Sequence, residues 1–471
     1  MENKSAWKSY SETDLNALEA LSARYIDFIS ACKTERECVT YGIELAKAKG
    51  YADLEDKIKA GSALVQGEKL YLDYMGKCLL LFIVGKQSFE KGLNVIGAHI
   101  DSPRLDIKQN PVFEDGGMAY LDTHYYGGIK KYQWLTMPLA LHGVVVKKDG
   151  SIINVAVGEN ESDPVFCISD ILPHLGHDQM SKTVGEFISG EQLDIIIGGK
   201  PGTEAKDTKD GKNAKEEKEP IKKAVLAILK SKYGFEEEDF ASAELEAVPA
   251  GRAREMGFDR SLILGYGHDD RVCAYAQLEA MFAINQIPER TVCCILTDKE
   301  EVGSVGATGM RARYFENVVA ELMALNGEEG DLKLRRALAA SDMLSCDVSA
   351  GFDPAFASAF EKKNSAFIGN GVCFNKFTGS RGKSGSNDAN AEFIARLRET
   401  MDGANVKYQY AELGKVDQGG GGTIAYICAL YGMNVIDSGV AVLSMHAPWE
   451  IISKADLYEA YKAYKAFAEA K

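Results

Sequence analysis

Histidine and carboxylate side chains stand directly after apolar, strand-like runs at several places in this sequence. In AHIDSP, the apolar run 95–98 ends at His99, and Asp101 follows two positions later. Residues i and i+2 of a strand point to one face, so the imidazole and the carboxylate share a side. This pattern predicts a metal-binding histidine with a carboxylate that orients it. Taken alone, the stretch is also compatible with a polar cap at a strand end.

Four further stretches place acidic or imidazole side chains where strands or helices should end. They are GHDDR with Asp269 and Asp270, DKEEVGS with Glu300 and Glu301, SCDVSAGFDP with Asp347, and SMHAP with His446. Taken separately, the aspartate pair is explained as a helix cap and the glutamate pair as a solvated turn. Because ligands gather at the carboxyl ends of strands in α/β sheets, the shared placement favours one common site.

Together these side chains form a mixed nitrogen and oxygen donor set, which suits zinc, manganese or cobalt. A single catalytic zinc needs three protein ligands, and this sequence offers more than three. The surplus predicts two metal ions about 3.5–4 Å apart that share one carboxylate. Of the adjacent Glu300 and Glu301, one can bind metal while the other accepts a proton from water. The predicted reaction is hydrolysis of an amide or an ester.

The composition excludes several classes of protein. The chain has 471 residues, 46% of them hydrophobic and 26% charged, as in a globular protein of two or three domains. Its net charge of −15 argues against nucleic-acid binding and against anionic membranes. No apolar stretch has the length of a membrane span, and the polar start lacks a signal-peptide core. The ten cysteines are scattered and form no CxxC pair, which predicts a reduced, cytoplasmic protein.

Strands and helices must position the predicted ligands. Apolar spacing predicts helical structure over 12–49 and strands over 70–74, 78–84 and 93–99. From about residue 260 onward, strands alternate with helices, which predicts a layered α/β domain.

The region between about 105 and 250 differs from both of its flanks. It contains β-like segments, and its charged stretch over 200–223 predicts an exposed, flexible loop. We therefore predict a domain inserted at 105–253 into a discontinuous domain made of 1–104 and 254–471. The discontinuous domain carries the predicted chemistry.

The combination of motifs resembles a known enzyme family. AHIDSPRLDIK, the aspartate pair at a helix start, DKEEVGS, CDVSAGFDP and LSMHAPWE resemble the aspartyl aminopeptidase and vacuolar aminopeptidase I family of co-catalytic zinc metallopeptidases. The resemblance extends from about residue 20 to 465. TGSRGKSGSNDANAE, the QGGGGT loop and the LPHL segment look like the bacterial branch of that family.

The resemblance implies a fold and an assembly. The fold is α/β, with a three-layer zinc-peptidase domain around a mixed, largely parallel sheet and an inserted β-rich dimerisation domain. Dimers would assemble into a tetrahedral dodecamer whose active sites face an inner chamber. The implied substrates are short peptides with a free N-terminus, and the implied product is a single acidic or neutral amino acid.

The resemblance also implies a role for each motif residue. It implies two zinc ions per subunit, which cobalt or manganese can replace, with His99, Asp269 and Asp347 at one zinc and Asp269, Glu301 and His446 at the other. Glu300 would be the general base, and Asp101 would orient His99. Asp347 is preferred to Asp342 for its spacing to Asp353, and Asp269 is preferred to Asp270 on the motif.

Substrate contacts are less determined by the sequence. Either His174 or His177, in LPHLGH, would reach the active site of a neighbouring subunit, with a packed or surface histidine as the alternative. Arg381 and Lys383, in TGSRGKSGSN, would pair with an acidic N-terminal residue, unless this glycine-rich stretch is only a mobile surface loop.

Two other residues and two other functions stay open. Asp417 and Glu450 are weak candidates for binding the substrate's α-amino group. A related two-metal carboxypeptidase or deacylase shares the metal core, so ligand spacing does not separate it from an aminopeptidase. A non-catalytic assembly protein of the same fold would be expected to lack a ligand or the base, whereas here every one of them is present.

Overall fold

A computed structural model describes residues 5–202 and 218–470 of the chain. These residues form two compact units. The described residues of the first unit fall within 1–102, 253–445 and 449–471, and those of the second fall within 103–252 and 446–448. The central part of the charged stretch 200–223, which we predict to be a flexible loop, lies outside the described residues.

The strands and helices are numbered in chain order. The strands are β1 (Ala52–Asp53), β2 (Lys69–Tyr74), β3 (Cys78–Ile83), β4 (Asn94–His99), β5 (Arg104–Asp115), β6 (Met118–Tyr126), β7 (Leu139–Val146), β8 (Ile152–Val157), β9 (Ile195–Gly198), β10 (Ala243–Pro249), β11 (Arg254–Met256), β12 (Leu262–Gly265), β13 (Val292–Thr297), β14 (Asp342–Ser345), β15 (Ser349–Ala350), β16 (Val372–Asn375), β17 (Tyr408–Ala411), β18 (Asn434–Gly439), β19 (Ala441–Val442) and β20 (Glu450–Ser453). The helices are α1 (Glu12–Ala31), α2 (Glu35–Ala48), α3 (Leu54–Ala60), α4 (His177–Met180), α5 (Pro220–Ile228), α6 (His268–Phe282), α7 (Tyr314–Leu325), α8 (Asp331–Ala339), α9 (Ala391–Gly403), α10 (Ala425–Ala429) and α11 (Lys454–Ala468).

A nine-stranded sheet forms the centre of the first unit. Its strand order is β1-β2-β3-β13-β4-β14-β18-β16-β17. Five of the eight neighbouring pairs are parallel, and the pairs β2–β3, β3–β13 and β16–β18 are antiparallel. The predicted mixed, largely parallel sheet is therefore confirmed.

The two faces of this sheet carry separate apolar clusters. Along β4, Ile96 and Ala98 belong to one cluster and Val95 to the other, because successive side chains of a strand point to opposite faces. Helices α1, α2, α6, α9 and α11 contribute to the first cluster, and α3, α7, α8 and α10 contribute to the second. Helices thus cover both faces, which gives the three predicted layers and explains why the central strands are apolar throughout.

Local capping explains where the first helices begin. The helical region predicted over 12–49 consists of two helices. The side chains of Ser11 and Thr34 accept the backbone N–H groups of Asp14 and Glu37, and each helix thereby starts with a capping box. Helix α11 also begins at a side-chain cap, since the Ser453 hydroxyl accepts the N–H of Ala455.

Strand register brings several predicted site residues to one edge of the sheet. The strands β13, β4, β14 and β18 are parallel neighbours. Thr297 pairs with His99, and Ser345 pairs with Gly97, so the carboxyl ends of β13, β4 and β14 lie side by side. The segments that follow these strands carry Asp101, the glutamate pair and Asp347.

The second unit is built on an antiparallel sheet of six strands, in the order β8-β7-β10-β5-β6-β9. A turn at Asp149–Gly150 joins β7 to β8, and Gly150 adopts a φ of 84° there. Helix α5 packs on β5, β6 and β9. Among the described residues, the structure holds no helix with the length and apolar character needed to span a membrane.

Candidate metal centre

His99 ends strand β4 and is buried, with only 2% of its surface exposed. Its Nδ1 atom lies 3.0 Å from the carbonyl oxygen of Asp101 and 3.3 Å from that residue's Oδ1. Its Nε2 atom lies 3.2 Å from Asp269 Oδ1 and 3.9 Å from Asp347 Oδ1. One ring nitrogen is therefore held by Asp101, and the other faces the carboxylates that we predict to be metal ligands.

The Asp101 carboxylate also organises the segment that follows β13. Its Oδ1 accepts the backbone N–H of Glu300 at 3.2 Å, and its Oδ2 accepts that of Glu301 at 3.1 Å. Lys299, just before them, adopts a left-handed conformation with a φ of 67°, which turns the chain sharply after the strand. A single buried carboxylate thus contacts both the histidine and the glutamate turn.

Asp269 lies in the first turn of α6, where the backbone departs from helical geometry. Its φ and ψ are −80° and 106°, and the peptide bond to Asp270 is cis. Its N–H donates to Glu450 Oε2 at 3.0 Å, and its carbonyl accepts the Ser102 hydroxyl at 2.9 Å. The side chain is thereby aimed at His99.

The alternatives to two predicted ligands have different surroundings. Asp342 stands at the start of β14, at the opposite end of that strand from Asp347, and pairs with Arg290 at 2.8 Å and Arg396 at 3.2 Å. Asp270 is fully buried, and burial together with the charge of Asp347 raises its pKa well above the usual range.

Two groups of possible ligands share His99. In each group, the ligand atoms lie within 4.8 Å of one another, which is close enough to hold a metal ion. The first group consists of His99, Glu300 and Asp347, and the second of His99, Asp269 and Glu301. The structure therefore brings five of the predicted site residues into one cluster.

The carboxylates of this cluster outnumber its single imidazole, and their pKa values reflect that excess. Burial raises the pKa of Glu300 to about 8, and the charges of Glu301 and Asp101 add to the rise while His99 opposes it. Burial likewise raises the pKa of Asp347 well above its usual value. Burial lowers the pKa of His99, but hydrogen bonds to Asp101 and Asp269 outweigh it and raise this pKa well above its usual value.

This donor set fits zinc. Imidazole nitrogen and carboxylate oxygen are ordinary zinc ligands, and His99 has its second nitrogen occupied by Asp101, as metal-binding histidines usually do. A divalent cation would also balance the buried negative charge that raises the carboxyl pKa values.

His446 belongs to the second compact unit, so it is described apart from the cluster. Its Nδ1 atom lies 3.0 Å from the carbonyl oxygen of Gly128, and its own backbone is left-handed, with a φ of 65°. Neither ligand group found among the described residues includes it.

The predicted substrate-contact residues are exposed. In the second unit, His174 and His177 both face solvent, and His177 Nδ1 lies 3.6 Å from the Asp178 carboxylate. In the first unit, Arg381 and Lys383 lie on an exposed turn.

Two glycine-rich loops of the first unit contact each other. The backbone N–H of Gly379, in the loop that carries the exposed turn, donates to the carbonyl of Gly421 at 2.8 Å. Gly421 belongs to the QGGGGT loop, which also carries the exposed Asp417. Glu450, the other weak candidate for the substrate amine, is 1% exposed.

Comparison with known proteins settles the family. The model of the aminopeptidase I zinc metalloproteases (M18) matches residues 28–468 of this chain. The chain belongs to this family. It is a zinc metallo-aminopeptidase, a hydrolase that acts on peptide bonds, and the predicted resemblance is confirmed.

Relatives of this M18 aminopeptidase match it along its whole length. A Clostridium acetobutylicum protein named "Probable M18 family aminopeptidase 1" is 56% identical over 466 residues, covering 99% of this chain and 98% of its own length. A crystal structure of an M18 family aminopeptidase from Thermotoga maritima superposes with a TM-score of 0.92 at 43% identity, covering 100% and 99% of the two chains. The S. cerevisiae mApe1 dodecamer, at 22% identity and a TM-score of 0.74, covers 96% and 97% and shares the fold.

Sequence patterns do not identify two residues that contact the metal centre or the segments around it in this M18 enzyme. Ser102 and Arg271 are both fully buried. Ser102 donates to Asp269, and Arg271 donates to the carbonyls of Ile100 and Lys33 at 3.1 and 2.8 Å. The only signal for them is position, because Ser102 follows the HID motif and Arg271 follows the aspartate pair.

Proposed function

We propose that this aminopeptidase binds two zinc ions per subunit, which cobalt or manganese can replace. The proposed ligands are His99, Asp269 and Asp347 for one ion and Asp269, Glu301 and His446 for the other. The observation that carries this proposal is the position of His99 Nε2, 3.2 Å from Asp269 and 3.9 Å from Asp347. His446 is included because of its motif, LSMHAP, rather than its surroundings.

Glu300 is the proposed general base. When bound, two zinc ions lower the pKa of a water molecule and polarise the scissile carbonyl. Glu300 accepts the proton of that water and delivers it to the leaving amine. The hydrogen bond from the Glu300 N–H to Asp101 supports this role, because it fixes the start of the side chain beside the His99 cluster. Asp101 is the proposed positioning residue for His99.

The proposed substrates are short peptides with a free N-terminus, from which the enzyme releases an acidic or a neutral residue. Arg381 and Lys383 are the proposed partners of an acidic side chain, since both are cationic and exposed on one turn. The burial of Glu450 speaks against direct contact between that residue and substrate.

We also propose self-association through the second unit, by dimers that assemble into a tetrahedral dodecamer. Six of the large apolar side chains exposed on that unit fall within the segment 165–184, namely Val165, Ile171, Leu172, Leu175, Met180 and Val184. Exposed apolar clusters of this kind mark interaction surfaces. His174 or His177, in the same segment, is the proposed contributor to a neighbouring active site.

A cytoplasmic location is proposed as well, supported by the ten free cysteines.

Hydrolysis of paired substrates tests the proposed function. Unblocked and N-acetylated aminoacyl substrates of Asp, Glu, Leu, Met and Lys should be compared before and after chelation, with zinc, cobalt or manganese added back. We expect metal-dependent cleavage confined to free N-termini, with two zinc ions bound per chain by elemental analysis. Cleavage of the blocked substrates, or a stoichiometry of one ion, would contradict the proposal.

A further inference from the structure

The backbone of Asp269 is held at both ends by side chains from other parts of the chain. Its N–H donates to Glu450 Oε2 at 3.0 Å, and its carbonyl accepts the Ser102 hydroxyl at 2.9 Å. Glu450 opens strand β20, and Ser102 follows β4, so the partners lie 181 and 167 positions away in sequence. Both are essentially buried, at 1% and 0% exposure.

These two bonds satisfy the peptide groups of a residue that lies outside regular helical geometry. The first N–H groups of a helix have no partner within the helix, and Asp269 is further removed from helical geometry by its ψ of 106°. Without Glu450 and Ser102, its peptide groups would have to find other partners in a buried environment, where an unsatisfied polar group is unfavourable. The orientation of the Asp269 side chain follows from the backbone that these bonds hold.

We propose that Ser102 and Glu450 are positioning residues, which hold Asp269 in the orientation that binds zinc. This inference rests on the proposed role of Asp269 as a ligand. In this role Glu450 contacts Asp269, rather than the α-amino group of the substrate for which it is a weak candidate. Ser102 additionally ties the segment that carries His99 to the start of α6, so the two ligands keep their separation.

Zinc affinity, measured by competition with a chromophoric chelator, tests this proposal apart from activity. Ser102→Ala and Glu450→Ala should each weaken zinc binding by about 10- to 100-fold, as the loss of groups that orient metal ligands generally does. Glu450→Gln should lose less than Glu450→Ala, because its amide oxygen can still accept the Asp269 N–H. The visible spectrum of the cobalt-loaded variants should change, since cobalt absorption reports ligand geometry.

Asp456 provides a matched control for loss of a buried hydrogen-bonded carboxylate. It is fully buried in α11 and accepts the N–H groups of Gly369 and Gly371 at 2.8 and 2.7 Å. Asp456→Ala should lower the melting temperature and leave the zinc affinity of the folded protein unchanged. If Ser102→Ala and Glu450→Ala behave like this control, the positioning proposal is wrong.

Variants of Asp269 distinguish its role as a ligand from the positioning role of Ser102. Asp269→Ala should weaken zinc binding at least as much as the positioning variants, and adding Ser102→Ala to it should cause little further loss, because both act through one ligand. Unchanged zinc affinity in Asp269→Ala would overturn the ligand assignment itself. Full additivity in the double variant would overturn only the positioning role.

Discussion

The Oδ2 atom of Asp101 lies 3.1 Å from the backbone nitrogen of Glu301 and accepts its N–H. This bond connects the segment after β4 to the turn after β13, and the other carboxylate oxygen makes the equivalent bond to Glu300. The residue that orients His99 therefore also fixes the backbone of the proposed base and of a proposed ligand. One carboxylate thus links His99 to two adjacent functional positions that lie 199 and 200 residues further along the chain than Asp101.

Asp101→Asn should weaken the metal centre more than the loss of one charge alone would. An amide has one acceptor oxygen in place of two, so the N–H group that faces its NH₂ loses its acceptor. We expect zinc affinity or kcat/KM to fall by about 10- to 100-fold. Asp342→Asn, at the opposite end of β14, is the control and should leave both quantities unchanged. Equal behaviour of the two variants would contradict the role of Asp101.

Glu300→Gln should separate catalysis from metal binding. Loss of the general base should lower kcat by about 10²–10⁴-fold, while zinc content stays at the wild-type value. Steady-state kinetics and elemental analysis of the same preparation provide the measurement. A variant that keeps most of its kcat would show that another group accepts the proton.

Zinc binding should release protons near neutral pH. Glu300 has its pKa raised to about 8, so in the metal-free protein it is largely protonated at pH 7. Cations bound beside it favour the charged form and expel the proton, so zinc affinity should rise as the pH increases toward 8. Calorimetric titration in buffers of different ionisation enthalpy counts the released protons, and Glu300→Gln should release fewer. If Glu300→Gln released as many protons as the wild-type enzyme, Glu300 would not be their source.

Removal of the Arg381 charge should act on acidic substrates alone. We expect Arg381→Ala to lower kcat/KM for N-terminal Asp and Glu by about tenfold and to leave Leu unaffected, because only an acidic side chain gains a charge-assisted hydrogen bond. Lys383→Ala should show the same direction. Lys91→Ala, an exposed lysine before β4, controls for the overall charge of the enzyme. A uniform loss across all substrates would argue against a specificity role.

Charges placed in the exposed apolar segment of the second unit should weaken self-association. Leu175 and Met180 are 69% and 73% exposed, and Leu175→Asp and Met180→Asp should each shift sedimentation toward smaller species. Leu332→Asp, at a residue 60% exposed in the first unit, is the matched control. An unchanged assembly in both second-unit variants would place the contact elsewhere.

Several elements could be predicted because their pattern is local. The apolar runs of β4 and β13 identify strands buried on both faces, and the residues after them fall at one sheet edge by simple register. The break between α1 and α2 was less visible, because the apolar spacing continues on both sides of it. Its cause is the capping box at Thr34.

Other features depend on contacts that no local pattern encodes. Asp269 and Asp270 are neighbours with the same chemistry, and only the direction of each side chain distinguishes a ligand from its alternative. Ser102 and Glu450 contact Asp269 across more than 160 positions, so their importance has no signature in the residues around them. The surroundings of His446, beside Gly128 in the second unit, could not be inferred from its strand-like flank either.

The interrupted course of the first unit has a consequence for how the enzyme comes into being. His99 and Asp347 are 248 positions apart, and residues 103–252 of the second unit lie between them in the chain. At roughly 5–20 residues per second, a ribosome needs about 12–50 s to travel from one to the other. During that interval the nascent chain lacks Asp347, and it lacks His446 for longer still. The enzyme therefore cannot cleave peptides until most of its chain has been synthesised.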